Sequence, residues 1–150
     1  MERKPKVGIG LRQGRMFVIP EWSPGRGTYI DKGPVLEVDP TAPRAIGDAA
    51  LESFKHFVWD NSCQLPDWNT YPKYVLDAGG YTSWSEYERG LKNCSIGIEN
   101  NQYHIYTELP HIFLAMDVSA EEMGHAILSA LGTSVEKEQE KADRRRKKQS

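Results

Sequence analysis

Residues 82–99 read TSWSEYERGLKNCSIGIE, a stretch that decides the fold because it joins a capped helix directly to a strand. Ser83 and Glu86 form a capping box, in which the serine oxygen accepts from the first free amides of a helix. Beyond Gly90, apolar and polar residues alternate from Cys94 to Glu99, the period of a strand with one buried face. The stretch therefore predicts a helix that feeds into a sheet.

Within this helix, Trp84, Tyr87 and Leu91 recur at helical spacing and share one side. That pattern predicts that Trp84 is a structural anchor and not a binding residue. Its truncation to alanine is then expected to lower the melting temperature markedly.

Four more runs of apolar or alternating residues predict strands. A turn-like break at Gly14 separates the first two runs and favours an antiparallel hairpin. Asn100 and Asn101 tolerate the positive φ of a tight turn, which predicts a second hairpin. The last run is apolar enough for a strand that is buried on both faces. The five predicted strands are residues 7–11, 15–19, 94–99, 103–108 and 111–116.

Two longer helices are expected on this sheet. Thr41 is the predicted N-cap of the first, and Ser119 with Glu122 forms a capping box for the second. Both helices carry a glycine, Gly47 or Gly124, at the same point of a similar apolar pattern. The pattern predicts that both helices lie on one sheet and need a small residue where the backbone approaches it.

These elements predict an α+β fold, with a central, mainly antiparallel β-sheet and flanking helices. The expected domain is a single one over residues 1–133. Residues 134–150 mix Glu, Lys and Arg with almost nothing apolar, so they form either a solvated helical extension or a disordered tail.

Charge and composition restrict the class of protein. Residues 135–150 carry seven Lys or Arg and four Asp or Glu, a charge of +3, which leaves −5 on residues 1–134. An acidic body argues against a nucleic-acid reader and suits docking onto a basic protein. The chain shows no membrane-spanning run and no secretory leader, so a cytoplasmic location is expected. Cys63 and Cys94 are then expected to be reduced structural thiols.

The central stretch also resembles the immunity proteins of bacterial contact-dependent growth inhibition, the CdiI family. The resemblance rests on a G-x-x-S-W-x-x-[FY]-x-x-G…S-I element and on a late E-E-[LM]-G-x-A-[LI]-L-x-A-L helix. It implies a non-enzymatic protein that binds and neutralises the C-terminal toxin domain, often a nuclease, of a CdiA-type effector. The matching residues are Gly80, Ser83, Trp84, Tyr87, Gly90, Ser95 and Ile96, then Glu121, Glu122, Met123, Gly124, Ala126, Ile127, Leu128, Ala130 and Leu131.

No catalytic, cofactor or metal motif is evident among the histidines and cysteines. Two alternatives to the immunity function remain open at this point. One is a small hydrolase or nuclease that uses His104 or His111 with nearby carboxylates. The other is a nucleic-acid binder that uses the basic run 144–148, although an acidic body makes direct nucleic-acid binding unexpected.

The partner-binding surface is predicted from residue type, because aromatic side chains give large contact area and carboxylates can meet the Lys and Arg of a nuclease. These residues are expected on exposed loops and strand ends. An alternative places Trp59 and Trp68 in the core under a long loop. The predicted partner-binding residues are Trp59, Asp60, Asp67, Trp68, Glu99, Tyr106 and Glu108.

Overall fold

A computed structural model describes residues 4–60 and 62–149, which build one sheet with helices on both faces. The elements are β1 (Lys6–Arg12), β2 (Arg15–Gly25), β3 (Thr28–Asp31), β4 (Leu36–Val38), α1 (Pro43–Phe54), β5 (Val58–Trp59), α2 (Tyr74–Gly79), α3 (Trp84–Glu88), β6 (Lys92–Glu99), β7 (Gln102–Tyr106), β8 (Ile112–Ala115), α4 (Ala120–Ala130) and α5 (Val135–Gln149). The sheet runs in the order β3-β2-β1-β6-β7-β8, and β4 and β5 also pair with β2. Only the short β2–β5 pair is parallel among the described strands. The predicted α+β fold is confirmed.

Two tight hairpins supply the four central strands. Gln13 and Gly14, with φ of 48° and 78°, connect β1 to β2, and Asn100 and Asn101, with φ of 51° and 60°, connect β6 to β7. Two consecutive positive φ values give a turn whose twist matches that of the flanking strands. Both predicted hairpins are therefore confirmed, the second over the register from Ser95–Tyr106 to Glu99–Gln102.

The sequence-based prediction makes the second strand too short and is wrong about the burial of the last strand. β2 continues past the predicted strand to Gly25, where it pairs with β3. Residues 112–115 do form β8, but the prediction of burial on both faces is wrong, since Phe113 is 56% exposed. Only the face of β8 that carries Ile112 and Leu114 reaches the main core.

The two halves of the chain meet at the centre of the sheet, where β1 pairs with β6 through Val7–Ile96 and Ile9–Cys94. Each half contains a hairpin, a third strand beside the hairpin's second strand, and a helix. The first set is β1-β2-β4-α1 and the second is β6-β7-β8-α4. The described topology is therefore approximately twofold about the β1–β6 boundary.

Helices α1 and α4 cover one face of the sheet and cross each other at two glycines. A Cβ atom added at Gly47 would overlap the carbonyl oxygen of Ala120, and one added at Gly124 would overlap that of Pro43. The prediction that both helices lie on one sheet is confirmed. The prediction that these glycines approach the sheet is wrong, because each approaches the first turn of the other helix.

Two of the three expected helix caps are present. The hydroxyls of Ser83 and Ser119 accept from backbone amides three residues later, at 3.1 Å in each case. The predicted Thr41 cap of α1 is wrong, because Ala42 is the N-cap and forms no side-chain bond. Thr41 instead donates its amide to the Asp39 carboxylate, which bends the chain just before the helix.

Short helices α2 and α3 cover only part of the second face. Val75, Leu76 and Tyr87 pack there with Phe17 and Ile19 of β2 to form a small second core. The prediction that Trp84 is a buried anchor is wrong, because its side chain is 42% exposed. No helix of the described ranges covers the remaining sheet surface beyond α3, and we call this surface the open face.

Residues 135–149 form α5, which is tied to the domain at its first turns. The Glu138 side chain is 1% exposed and accepts from the Thr133 hydroxyl at 2.7 Å and from Lys141 at 3.0 Å. The domain boundary at residue 133 stays a prediction. None of the helices in the described ranges is long and apolar enough to cross a lipid bilayer.

Candidate functional site: an acidic groove on the open face

A groove with a volume of about 780 Å³ runs along the open face, between α3 and the ends of β6 and β7. It exists because α3 covers only one side of this face and because Gly8 in β1 has no side chain that would fill the space. Among residues 4–60 and 62–149, four carboxylates and no lysine or arginine line it. The lining includes Gly8, Ile19, Glu21, Asp31, Trp84, Tyr87, Glu88, Ser95, Tyr106, Glu108 and His111.

Two of the carboxylates lie side by side at the inner end of the groove. Glu21 of β2 and Asp31 of β3 are directly opposite in the antiparallel register. Burial and the neighbouring Asp31 raise the pKa of Glu21 to about 7, and burial also raises the pKa of Asp31. This end of the groove therefore favours a positively charged ligand group, which would stabilise both ionised carboxylates.

At the opposite side, a hydrogen-bonded cluster links three strands. Glu99 Oε2 accepts from the Tyr106 hydroxyl at 2.6 Å and lies 3.1 Å from His104 Nδ1, while His104 Nε2 lies 2.9 Å from His111 Nδ1. His104 also stacks on Phe113, with ring centroids 4.3 Å apart. The cluster holds Tyr106 and His111 in fixed positions at the groove wall.

Hydrogen bonding sets the charge of this cluster. The Tyr106 and His104 hydrogen bonds, helped by Lys4, lower the pKa of Glu99 to about 2. Partial burial and the Glu99 hydrogen bond raise the pKa of Tyr106 to about 12. At neutral pH the cluster thus presents a permanent carboxylate and a neutral phenol.

Aromatic side chains extend the groove beyond α3. A neighbouring cavity of about 320 Å³ shares Asp31 and Trp84 with the groove and is lined also by Trp68, Tyr71 and Tyr74. Trp68 is 56% exposed, and its ring meets that of Tyr71 at a centroid distance of 5.6 Å. The groove and this cavity together form a continuous surface with two exposed tryptophans.

The predicted partner-binding residues divide between this surface and a more distant edge. Glu99 and Tyr106 are hydrogen-bonded together, Glu108 lines the groove, and Trp68 lines the neighbouring cavity. Asp67 is exposed beside Trp68, where its carboxylate accepts from the Asn69 amide at 3.0 Å.

Trp59 and Asp60 do not line the groove or the cavity. Trp59 lies on the short strand β5, paired with Ser23, and is half-buried. The exposed Asp60 carboxylate accepts from the Ser62 amide. The alternative that both tryptophans are core residues is wrong for Trp68, which is exposed.

Sequence reasoning missed Glu21, Asp31, Glu88 and His111 as groove residues, and it assigned Trp84 to the core. One signal could have pointed to Glu21, an isolated acid within a long apolar run of β2. The pairing that places Asp31 beside it could not be read from the sequence.

The groups considered for catalysis are engaged in other contacts. His104 and His111 are hydrogen-bonded to each other, and His104 is also bonded to Glu99. Burial raises the pKa of the Cys94 thiol to about 12, so this thiol is neutral at physiological pH. Within the described ranges, no group of His, Cys, Asp and Glu side chains is arranged to hold a metal ion.

Among the solved structures that share this fold are two with different descriptions. A protein of unknown function, NMB0488 from Neisseria meningitidis, matches with a TM-score of 0.69 and 14% identity, over 88% of this chain and 96% of that chain. A chain of the CdiA-CT/CdiI toxin and immunity complex from Yersinia pseudotuberculosis matches with a TM-score of 0.70 and 13% identity, over 87% and 97%. No protein-family model and no curated protein sequence matches.

The match to the chain of the toxin and immunity complex extends across nearly the whole of both chains. It therefore includes the central sheet and is not limited to one motif. At these identities the likeness shows the fold alone. The groove residues of this chain are therefore interpreted from their own geometry.

Proposed function

We propose that this chain is an immunity protein, which binds and neutralises the C-terminal toxin domain of a CdiA-type contact-dependent growth inhibition effector. The observation that carries the proposal is the acidic, aromatic groove on an otherwise uncovered sheet face. Two further facts support it: the motif resemblance in residues 80–96 and 121–131, and a fold shared with a chain of a toxin and immunity complex.

The proposed mechanism is occlusion of the toxin, without chemistry by this chain. A nuclease presents Lys and Arg around its phosphate-binding cleft, and the carboxylates Glu88 and Glu108 would face those groups. The opposite electrostatic potentials of the acidic groove and the basic nuclease accelerate association. The exposed rings of Trp68 and Trp84 provide the contact area that slows dissociation. A basic nuclease domain is thus the toxin class that the groove suits best.

The proposed contact residues are the predicted ones that the fold brings to the open face or beside it. They are Asp67, Trp68, Glu99, Tyr106 and Glu108, joined by Trp84 and Glu88. Trp59 and Asp60 would contact only a partner that extends to the β5 edge. Because the effector's toxin domain acts inside the target cell, the proposed site of action of this chain is the cytoplasm.

Co-expression provides the test. The C-terminal domain of a large effector encoded beside this chain's gene is produced with the wild-type chain and with two charge-reversed variants. One variant is Glu88→Lys with Glu108→Lys, in the groove. The matched control is Asp48→Lys with Glu52→Lys, on the outer side of α1.

We expect the wild-type chain and the control to co-purify with the toxin domain and to restore growth, and the groove variant to do neither. Absence of both co-purification and protection with the wild-type chain would reject the immunity function. Full protection by the groove variant would retain the function but place the toxin on another surface.

A further inference from the structure

Glu21 is a buried carboxylate for which the described part of the chain supplies no hydrogen-bond donor. Its residue is 7% exposed, and no hydrogen bond or ion pair to its side chain is found in residues 4–60 and 62–149. Its carboxylate is nonetheless open to the groove, where Oε1 lies 3.5 Å from the position that a Cβ atom would take at Gly8. A buried polar group of this kind normally has a partner, because its desolvation is otherwise uncompensated.

The nearby cation does not supply that partner. Lys6 precedes Gly8 on the same face of β1, but its ammonium lies over the ring of Tyr29, 4.8 Å from the centroid, and 5.7 Å from that of Tyr106. The β3 residue that pairs with Glu21 is another acid, Asp31. The free protein thus holds two carboxylates together, and Lys6 lowers the pKa of Glu21 without a hydrogen bond or ion pair to it among the described residues.

We propose that Glu21 and Asp31 form a binding site for one cationic side chain, Arg or Lys, of the toxin domain. This inference rests on the proposed function and specifies how the same groove selects its partner. The two carboxylates come from adjacent strands and offer oxygens that a forked guanidinium or an ammonium group can bridge. Gly8 leaves the approach free of a side chain, and Tyr87 and Trp84 line the path.

Each charged or titratable group that faces this site affects its protonation. Asp31 adds negative charge, Lys6 partly offsets it, Tyr29 and Tyr87 are neutral phenols, and Glu88 lies at the rim. The pKa of Glu21, about 7 in the free protein, would fall when a cation enters. Binding therefore releases a proton near neutral pH, and the affinity for the cation increases as the pH rises through about 7.

The site is tested first without the toxin, by NMR of the full ¹⁵N-labelled chain. The probe is N-acetyl-arginine amide, and its neutral control is N-acetyl-citrulline amide, which has nearly the same shape. We expect saturable shifts of the Gly8 and Asp31 amides with the arginine probe at about pH 8, much weaker shifts at about pH 6, and none with citrulline.

Three variants locate the binding. Glu21→Gln and Asp31→Asn each remove one carboxylate with little change in size, and their spectra report whether the fold persists. Glu52→Gln removes an exposed carboxylate on the outer side of α1, away from the groove, as the matched control. Loss of the arginine shifts in the first two variants and their retention in the third are the expected result. Equal binding by all variants, or no saturable shift in the wild-type chain, overturns the site.

The toxin domain provides an independent second readout. Glu21→Gln is expected to weaken its binding by about 30-fold or more, since a buried charge pair would lose one member, while Glu52→Gln, on the outer side of α1, changes it by about threefold or less. Arginine binding without toxin binding would reject the immunity function and leave the cation site. Toxin binding that is unchanged by Glu21→Gln would reject the cation site and leave the function.

Discussion

At the residue scale, the protonation of Glu21 links the groove to the stability of the fold. Its folded pKa of about 7 lies above the reference value of 4.5, so the folded chain holds this proton more tightly than the unfolded chain does. The free energy of unfolding therefore falls as the pH rises from about 4.5 to above 7. A shift of this size corresponds to at most about 3 kcal/mol.

Replacing Glu21 with Gln removes this pH-dependent loss of stability. We expect Glu21→Gln to be more stable than the wild-type chain at about pH 8.5 and nearly equal to it at about pH 5, in urea unfolding at both values. Glu88→Gln, at the exposed rim, serves as the control for the loss of one groove carboxylate. A Glu21→Gln variant that is less stable at both pH values would indicate a structural role for this carboxylate.

Tyr87 and Trp84, two aromatic residues of α3, are expected to contribute differently to the stability of the fold. Tyr87 is 5% exposed in the second core, and its truncation to alanine should cost about 3–5 kcal/mol of stability, as for other large core side chains. Trp84 is 42% exposed, so Trp84→Ala should cost less than half as much while weakening toxin binding. Thermal unfolding compares the two. Equal losses of melting temperature would restore Trp84 to the structural role that its helical spacing suggests.

The sequence could supply the acids and aromatics of the site but not their grouping. Glu99, Tyr106 and Glu108 were predicted from residue type, as acidic and aromatic residues of loops and strand ends, and they remain a prediction. Glu21 and Asp31 become neighbours through the β2–β3 pairing, which no local signal records. Trp84 was misplaced because helical spacing defines a shared side of a helix, whereas the exposure depends on which elements cover that side.

At the scale of elements, the α1–α4 crossing offers a sharp test of packing. Gly47→Ala raises helix propensity by about 1 kcal/mol, yet the added methyl would overlap the Ala120 carbonyl group. We expect a net destabilisation of about 1–3 kcal/mol or more, measured by denaturant unfolding. Asp48→Ala, on the exposed side of the same helix, is the control and should be neutral or stabilising. A neutral Gly47→Ala would mean that the helices can separate without cost.

The elements that the sequence predicted are those with local causes. Serine caps, paired asparagines in a turn and alternating polarity act within a few residues, so α3, α4 and the β6–β7 hairpin were found. The extension of β2 and the pairing of β5 with it depend on segments distant along the chain. The exposed face of β8 likewise follows from its place at the end of the sheet.

At the scale of the whole molecule, the placement of charge predicts which acids affect toxin association. Glu108 lines the groove and Asp60 does not, although both are exposed carboxylates that sequence reasoning treated alike. Glu108→Lys should slow association and reduce its salt dependence, and Asp60→Lys should change neither by more than about twofold, in stopped-flow measurements over a range of salt concentrations. If Asp60→Lys slowed association and Glu108→Lys did not, the interface would instead lie at the β5 edge.

The β1–β6 pairing also has a consequence during synthesis on the ribosome. The amino-terminal half emerges first, and the partner of Lys6 is Gly97, so one side of β1 has no strand beside it until most of the chain has been made. At translation rates of about 5–20 residues per second, this interval lasts roughly 5–20 s. The groove has β1 in its floor and β6 and β7 in its walls. Under the proposed function, a partly synthesised chain therefore has no groove with which to bind a toxin.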